Sequence, residues 1–220
     1  MLQVLKKCKR LFLILAAVVS VISCKKTFLD VDNTTQLYRQ AYVKDLNTME
    51  QFKNGAYVLL NNSYENGLLA AYPDLVADNL KPFPAPPTAG FGTQSFMPHY
   101  TWSQQATEAQ GGATEASLEM NSLWIVCYQI IRACSFVVED VDKYKSENPQ
   151  KADDIKGQAL AIRALVHFKL VNVFAQNFKY TADASHQGVP YITTSNIGAG
   201  FSRQTVAQVY DAMIADLNEA

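Results

Sequence analysis

The chain has 220 residues and is almost neutral, with 19 Lys and Arg against 20 Asp and Glu. Apolar residues at 49% exclude a disordered protein, the lack of a basic excess excludes a nucleic-acid binder, and 10 Gly with 8 Pro are too few for a collagen-like or low-complexity chain. The length suits one domain, or one and a half, with a sizeable buried core.

The N-terminus is organised by charge. Lys6, Lys7, Lys9 and Arg10 lie in the first ten residues, and the first acid is Asp30. The apolar run Leu11 to Ile22 follows. It is shorter than the roughly 20 residues of a membrane-spanning helix, and it suits the apolar region of a secretory signal. The run closes on Val21-Ile22-Ser23-Cys24, which resembles a bacterial lipoprotein lipobox. That resemblance implies a signal peptide over residues 1–23, cleavage before Cys24, a diacylglyceryl thioether on its sulfur and acylation of its new amino group. Two or three acyl chains anchor a protein stably where one does not. Four basic residues depart with such a leader, so residues 24–220 carry a net charge of −5. The competing reading is a buried N-terminal helix of a cytosolic protein. It leaves the basic cluster, the missing acids and Cys24 without a common cause.

Residues 24–45 read as a lipidated tether and entry segment, with Phe28-Leu29-Asp30-Val31 able to dock weakly. A first helix is expected over about 48–65. Thr48-Met49-Glu50-Gln51 forms a capping-box pattern, and Met49, Phe52, Ala56, Leu59 and Leu60 repeat at helical spacing. Asn66-Gly67 ends it. Residues 81–112 hold five prolines and four glycines, a density that forbids a regular helix. A loop of this length suggests function or disorder, and Phe83, Phe91, Phe96, Tyr100 and Trp102 argue against pure disorder.

A second helix is expected over about 115–145, with Leu118, Leu123, Trp124, Cys127, Ile131, Cys134, Val138 and Val141 as its apolar stripe. Ser146-Glu147-Asn148-Pro149 closes it. Cys127 and Cys134 would lie roughly 10 Å apart along one helix axis, too far for a disulfide. They read as small core residues rather than a bridge or a metal site. A third helix fits 151–176. Its polar residues Lys151, Asp154, Gln158, Lys169, Asn172 and Gln176 share an arc of about 60°, so neighbours must pack on several of its sides. Arg163 and His167 interrupt the dry side, and Arg163 demands a buried partner. Asp153-Asp154 reads as an acidic first turn. Residues 177–203 form a further loop with Gly188-Val189-Pro190-Tyr191 as a turn. Ser202 or Thr205 opens a fourth helix, where Val206, Val209, Tyr210, Met213, Ile214 and Leu217 repeat at helical spacing. This pattern reaches Ala220 without a stop signal. No stretch alternates with period two between hairpin turns, so the fold is mainly α with long irregular loops.

No GxSxG, HExxH, GxGxxG or P-loop pattern occurs, and His99, His167 and His186 lack ligand spacing. The residues therefore point to no metal, no cofactor and no catalytic constellation. His167 reads as a hydrogen-bonded helix residue rather than a base. Flat aromatic faces with polar handles suit sugars or peptides, which makes Trp102, Tyr100 and Phe96 the candidate ligand contacts. The bland alternative is that Trp102 plugs the loop onto the helices. Trp124 and Tyr128 sit at core spacing and are read as core.

The order of these pieces resembles the N-terminal half of SusD/RagB-family outer-membrane lipoproteins. Seven segments carry the likeness: the lipobox with Phe28-Leu29-Asp30; Asn54-Gly55-Ala56-Tyr57; Trp124-x-x-x-Tyr128-x-x-Ile131; Ala159-Leu160-x-x-Arg163-Ala164 with His167-Phe168; Gly188-Val189-Pro190-Tyr191; Arg203-x-Thr205-Val206; and Val209-Tyr210-x-x-x-x-Ala215-Asp216-Leu217. The resemblance implies tetratricopeptide-like helix pairs over a domain at 46–220. It implies a surface lipoprotein that captures glycans or other oligomeric nutrients, acts as a lid on a SusC-like TonB-dependent transporter, and is not an enzyme. Two positions depart from the family pattern: Cys134 stands where an Asn is usual, and Gln158 where an acid is usual, which removes a possible partner for Arg163. Set against the family the chain looks like about half a protein, whose third and fourth helices would expose apolar faces. Other readings are a helical assembly protein without a small ligand, a non-functional fragment, and a secreted enzyme with an unrecognised site.

Overall fold

The structure is a computed structural model that describes residues 42–65, 69, 73–74, 77, 79–80, 115–196, 198 and 200–220. The expected leader, Cys24, most of the tether and the aromatic loop with Phe96, Tyr100 and Trp102 lie outside these residues.

Among the described residues every long regular element is helical: α1 (Leu46–Glu65), α2 (Glu115–Asp140), α3 (Pro149–Phe174) and α4 (Val206–Glu219). The mainly α reading holds. A 3-10 turn, Val141–Tyr144, prolongs α2. Helix α3 is central: α2 and α4 pack along it, and α1 lies against α2 and α3. Antiparallel neighbours joined by a short turn, as α2 and α3 are, are consistent with the tetratricopeptide-like arrangement.

The helix starts follow capping chemistry, and two differ from expectation. The Asp45 carboxylate accepts from the Thr48 N–H (2.7 Å), while the Thr48 hydroxyl oxygen accepts from the Asp45 N–H (3.1 Å). Asp45 is thus the cap and Thr48 its reciprocal partner, so α1 begins earlier than the Thr48–Gln51 pattern suggests. These bonds hold the Asp45 carboxyl below its ordinary pKa. At α3, Asn148 accepts from the Lys151 N–H and Pro149 occupies the first helical position. The proline expected to close α2 instead opens α3, where a missing N–H costs nothing. Asp153 and Asp154 therefore fall in the second turn, not the first, and pair with Lys145 and Gln158. Thr205 caps α4 with a complete capping box to Gln208.

The core is built by Met49, Ala56, Cys127, Ile130, Ile131, Cys134, Val137, Ile155, Leu160, Val166 and Leu170. Phe52 meets Phe136 edge-on at 4.6 Å. The stretch Asn121–Tyr144, α2 and the turn after it, is long and apolar enough to cross a bilayer by length and composition, but Leu123, Cys127, Ile130, Ile131, Cys134 and Val137 are spent on this core. Cys127 and Cys134 are buried free thiols, pushed up to about 12 by burial and so inert.

Candidate functional site

The third and fourth helices are locked by a buried polar network. Arg163 lies inside α3, as its place on the dry face requires. Its Nε and Nη2 donate to the two carboxylate oxygens of Asp216 on α4, both at 2.7 Å. Burial works against the guanidinium charge, but the hydrogen bonds and charge of Asp216 outweigh it and raise its pKa. Tyr191 donates a third bond to Asp216 at 2.5 Å. Burial and this carboxylate together push the phenol well above its ordinary pKa. The usual acid position of the family, Gln158, faces elsewhere: its amide oxygen accepts from buried Lys53 of α1 at 2.8 Å. An acid at 158 would meet Lys53, so its loss takes nothing from Arg163.

One turn along α3, His167 is fully buried and stacks on Tyr191 (centroids 3.9 Å apart). Nδ1 lies 2.8 Å from the Arg163 carbonyl, and Nε2 accepts from the Ile192 N–H at 3.1 Å. Those partners fix a neutral imidazole with its proton on Nδ1. Burial lowers its pKa to about 4. It is a structural residue that holds a backbone, as the sequence suggested.

What it holds is the segment between α3 and α4. Residues 187–196 run as an extended strap across α2 and α3. The expected turn at Gly188-Val189-Pro190-Tyr191 is not one: Val189 and Tyr191 are buried in the strap, and the Gly188 N–H donates to the Gln204 carbonyl at 2.7 Å. A Cβ on Gly188 would stand 3.1 Å from that carbonyl and from Val209, which is why glycine suits this crossing. Arg203 ties the strap to α3, donating to the carbonyls of Gly188 (2.5 Å) and Phe174 (2.8 Å).

Among the described residues, three surface depressions flank this frame. The first, about 520 Å³, lies between the end of α3 and His186, Gln187 and Arg203. Its His and Arg are occupied by the fold: His186 is bonded to Thr181 and the Gln176 carbonyl, and Arg203 to the two carbonyls just named. The second, about 450 Å³, opens on α2 between Trp124, Ile125, Tyr128, Gln129, Arg132, Pro190, Ile192 and Phe201. Trp124 and Tyr128, expected as core, are half-buried here and form one wall. Their rings lie 4.8 Å apart, and Trp124 also meets Phe174 edge-on at 5.0 Å. The Tyr128 hydroxyl donates to the Pro190 carbonyl at 2.9 Å. The third, about 290 Å³, is an apolar groove between α3 and α4 lined by Leu165, Phe168, Tyr210, Ile214 and Leu217 among others. Ile214 and Leu217, expected in the buried stripe of α4, are 54% and 55% exposed because nothing described covers that side.

Sequence reasoning singled out neither Arg132 nor Asp216 as a site residue. The signal for Arg132 was its spacing, four and eight residues after Tyr128 and Trp124 on one helix face. Among the described residues, no group of three His, Cys, Asp or Glu could hold a metal ion.

Comparison with known proteins accounts for this architecture. A SusD superfamily protein from Bacteroides thetaiotaomicron VPI-5482 superposes with a TM-score of 0.59 at 20% identity, over 80% of this chain and 36% of that one. A putative sugar binding protein from Bacteroides vulgatus ATCC 8482 gives 0.60 at 26% identity, over 81% and 37%. A SusD-like carbohydrate binding protein from the same organism gives 0.54 at 21%, over 80% and 35%. The chain thus spans little more than a third of the length of each. No curated protein matches it. A family model described as SusD-like, starch-binding and associating with the outer membrane matches residues 27–220. With nearly the whole chain inside that match, the chain belongs to the SusD-like family.

Proposed function

We propose that this chain captures glycans at the outer membrane for nutrient uptake and passes them to a SusC-like TonB-dependent transporter. The observation that carries the reading is the family match over residues 27–220. The likeness to a putative sugar binding protein over 81% of the chain supports it. The family description names binding, and we read the role as capture without turnover. The Cys24 lipid anchor would hold the protein on the membrane, facing outward, with Phe96, Tyr100 and Trp102 in the aromatic loop as ligand contacts.

Isothermal titration of the purified protein against a panel of neutral and acidic oligosaccharides tests the reading. Saturable binding, weakened by Trp102→Ala, is expected; a panel without a single binder overturns it. Labelled fatty acid should enter the wild type and not Cys24→Ala, and labelling that persists in the variant removes the anchor. A SusC-like barrel protein should co-purify from detergent extracts. The open apolar groove between α3 and α4 favours a second reading, a helical assembly protein that grips a partner without a small ligand. Barrel co-purification with no sugar binding would select it.

A further inference from the structure

Only one of the three depressions combines an aromatic wall with a charge that the fold does not use. Trp124, Tyr128 and Phe201 supply flat apolar surface, and Phe201 and Ile125 stand exposed at the rim. The aromatic wall is set in place beforehand, since Trp124 is wedged between Tyr128 and Phe174 and the Tyr128 hydroxyl is tied to the strap. Gln129 offers both a donor and an acceptor. The volume, about 450 Å³, falls in the range of small-molecule sites.

Arg132 closes the other side. Its Nε is buried and has no hydrogen-bond partner. No carboxylate lies within ion-pair distance of it among the described residues, and none lines the depression. The resting guanidinium has therefore lost water at Nε without a bond in return, an unfavourable state for a charged donor. Turning the end of the side chain toward the depression would present Nε and one Nη together. That fork matches a carboxylate bidentately, and a neutral hydroxyl cannot fill it equally well.

We propose that this α2 depression is a subsite for an acidic sugar unit, a uronate whose ring lies on Trp124 and Tyr128 and whose carboxylate pairs with Arg132. The assignment rests on the glycan-binding reading and narrows it to acidic glycans. The other depressions do not compete: one has its His and Arg bonded within the fold, and the other is almost wholly apolar.

The test is isothermal titration of the purified protein with di- and trisaccharides of galacturonate, glucuronate and mannuronate, their methyl esters, and neutral malto-oligosaccharides. The ester keeps the ring and removes the charge. The wild type should prefer at least one free acid over its ester by about tenfold or more, with the preference shrinking as salt rises. Arg132→Gln should bring acid and ester to equal affinity, and Arg132→Lys should fall between. Thermal melts of each variant establish that it is folded. Acid and ester binding equally to the wild type, or an acid preference that survives Arg132→Gln, overturns the subsite while leaving glycan capture intact. Binding of no sugar in any class overturns glycan capture and the subsite together.

Discussion

Two arginines on adjacent helices meet opposite fates. Arg163 on α3 is enclosed, bidentate to Asp216 and backed by Tyr191. Arg132 on α2 keeps a buried Nε with no partner beside an open aromatic wall. Both carry the same charge on helices that pack together. The difference is what the chain places opposite: α4 brings a carboxylate to one, and the strap brings only Pro190 and Ile192 to the other. A saturated charge holds the fold together, whereas the Arg132 Nε adds no bond to it.

The comparison can be broken in order of effect. Asp216→Ala should cost about 3–5 kcal/mol, because it strands the Arg163 charge in the interior. Urea unfolding would measure it, and the pair Arg163→Met with Asp216→Leu should recover a large part of the loss. If Asp216→Ala melts like the wild type, the lock is not what holds α4.

Acid should act next, through His167. Its folded pKa is about 4, below the ordinary 6.5. The unfolded state therefore binds the extra proton first as pH falls. The contribution of neutral His167 is complete above about pH 6.5 and is lost progressively down to about pH 4, on the order of 3 kcal/mol in all. Melting temperature should decline across that window, and His167→Gln should flatten the decline even if it lowers stability at neutral pH.

A smaller effect belongs to Gln158. Replacing it by Ala leaves the buried Lys53 ammonium without its oxygen, at a cost of about 1–2 kcal/mol. The smallest effect sharpens the contrast: Arg132→Met removes a donor that bonds nothing and should leave stability within about 0.5 kcal/mol of wild type, or slightly raise it. A large loss there would show that Arg132 holds the fold after all.

These contrasts also show what a single sequence conveys. The helices were legible because periodicity is local; the start of α4 stayed open between Ser202 and Thr205 until the box from Thr205 to Gln208 selected the second. That Arg163 needed a buried partner followed from its place on a dry helix face. Its identity did not, since Asp216 lies 53 residues away and only the α3–α4 packing joins them. The glycine of Gly188-Val189-Pro190-Tyr191 looked like a turn residue because turns and close crossings both call for glycine. Trp124 and Tyr128 show the limit for sites. Their spacing reads as core, and it takes the course of a distant strap to leave one side of them open.

The strap is gripped in good part through peptide groups. Tyr128, Ser135, His167 and Glu139 bind the Pro190 carbonyl, the Ile192 carbonyl, the Ile192 N–H and the Ser195 N–H. Nearly every amino acid presents those same groups, so these four bonds ask little of the side chains at 190 and 192, whereas Gly188, Tyr191 and Ser195 are also held by what they are: a missing Cβ, a hydroxyl on Asp216 and a hydroxyl on Glu139. Arg163, Arg203 and Gln204 add bonds to the Thr193 carbonyl, the Gly188 carbonyl and the Tyr191 N–H. Within the strap, proline is the residue such wiring refuses, at 188, 191, 192 and 195, where an N–H is bonded.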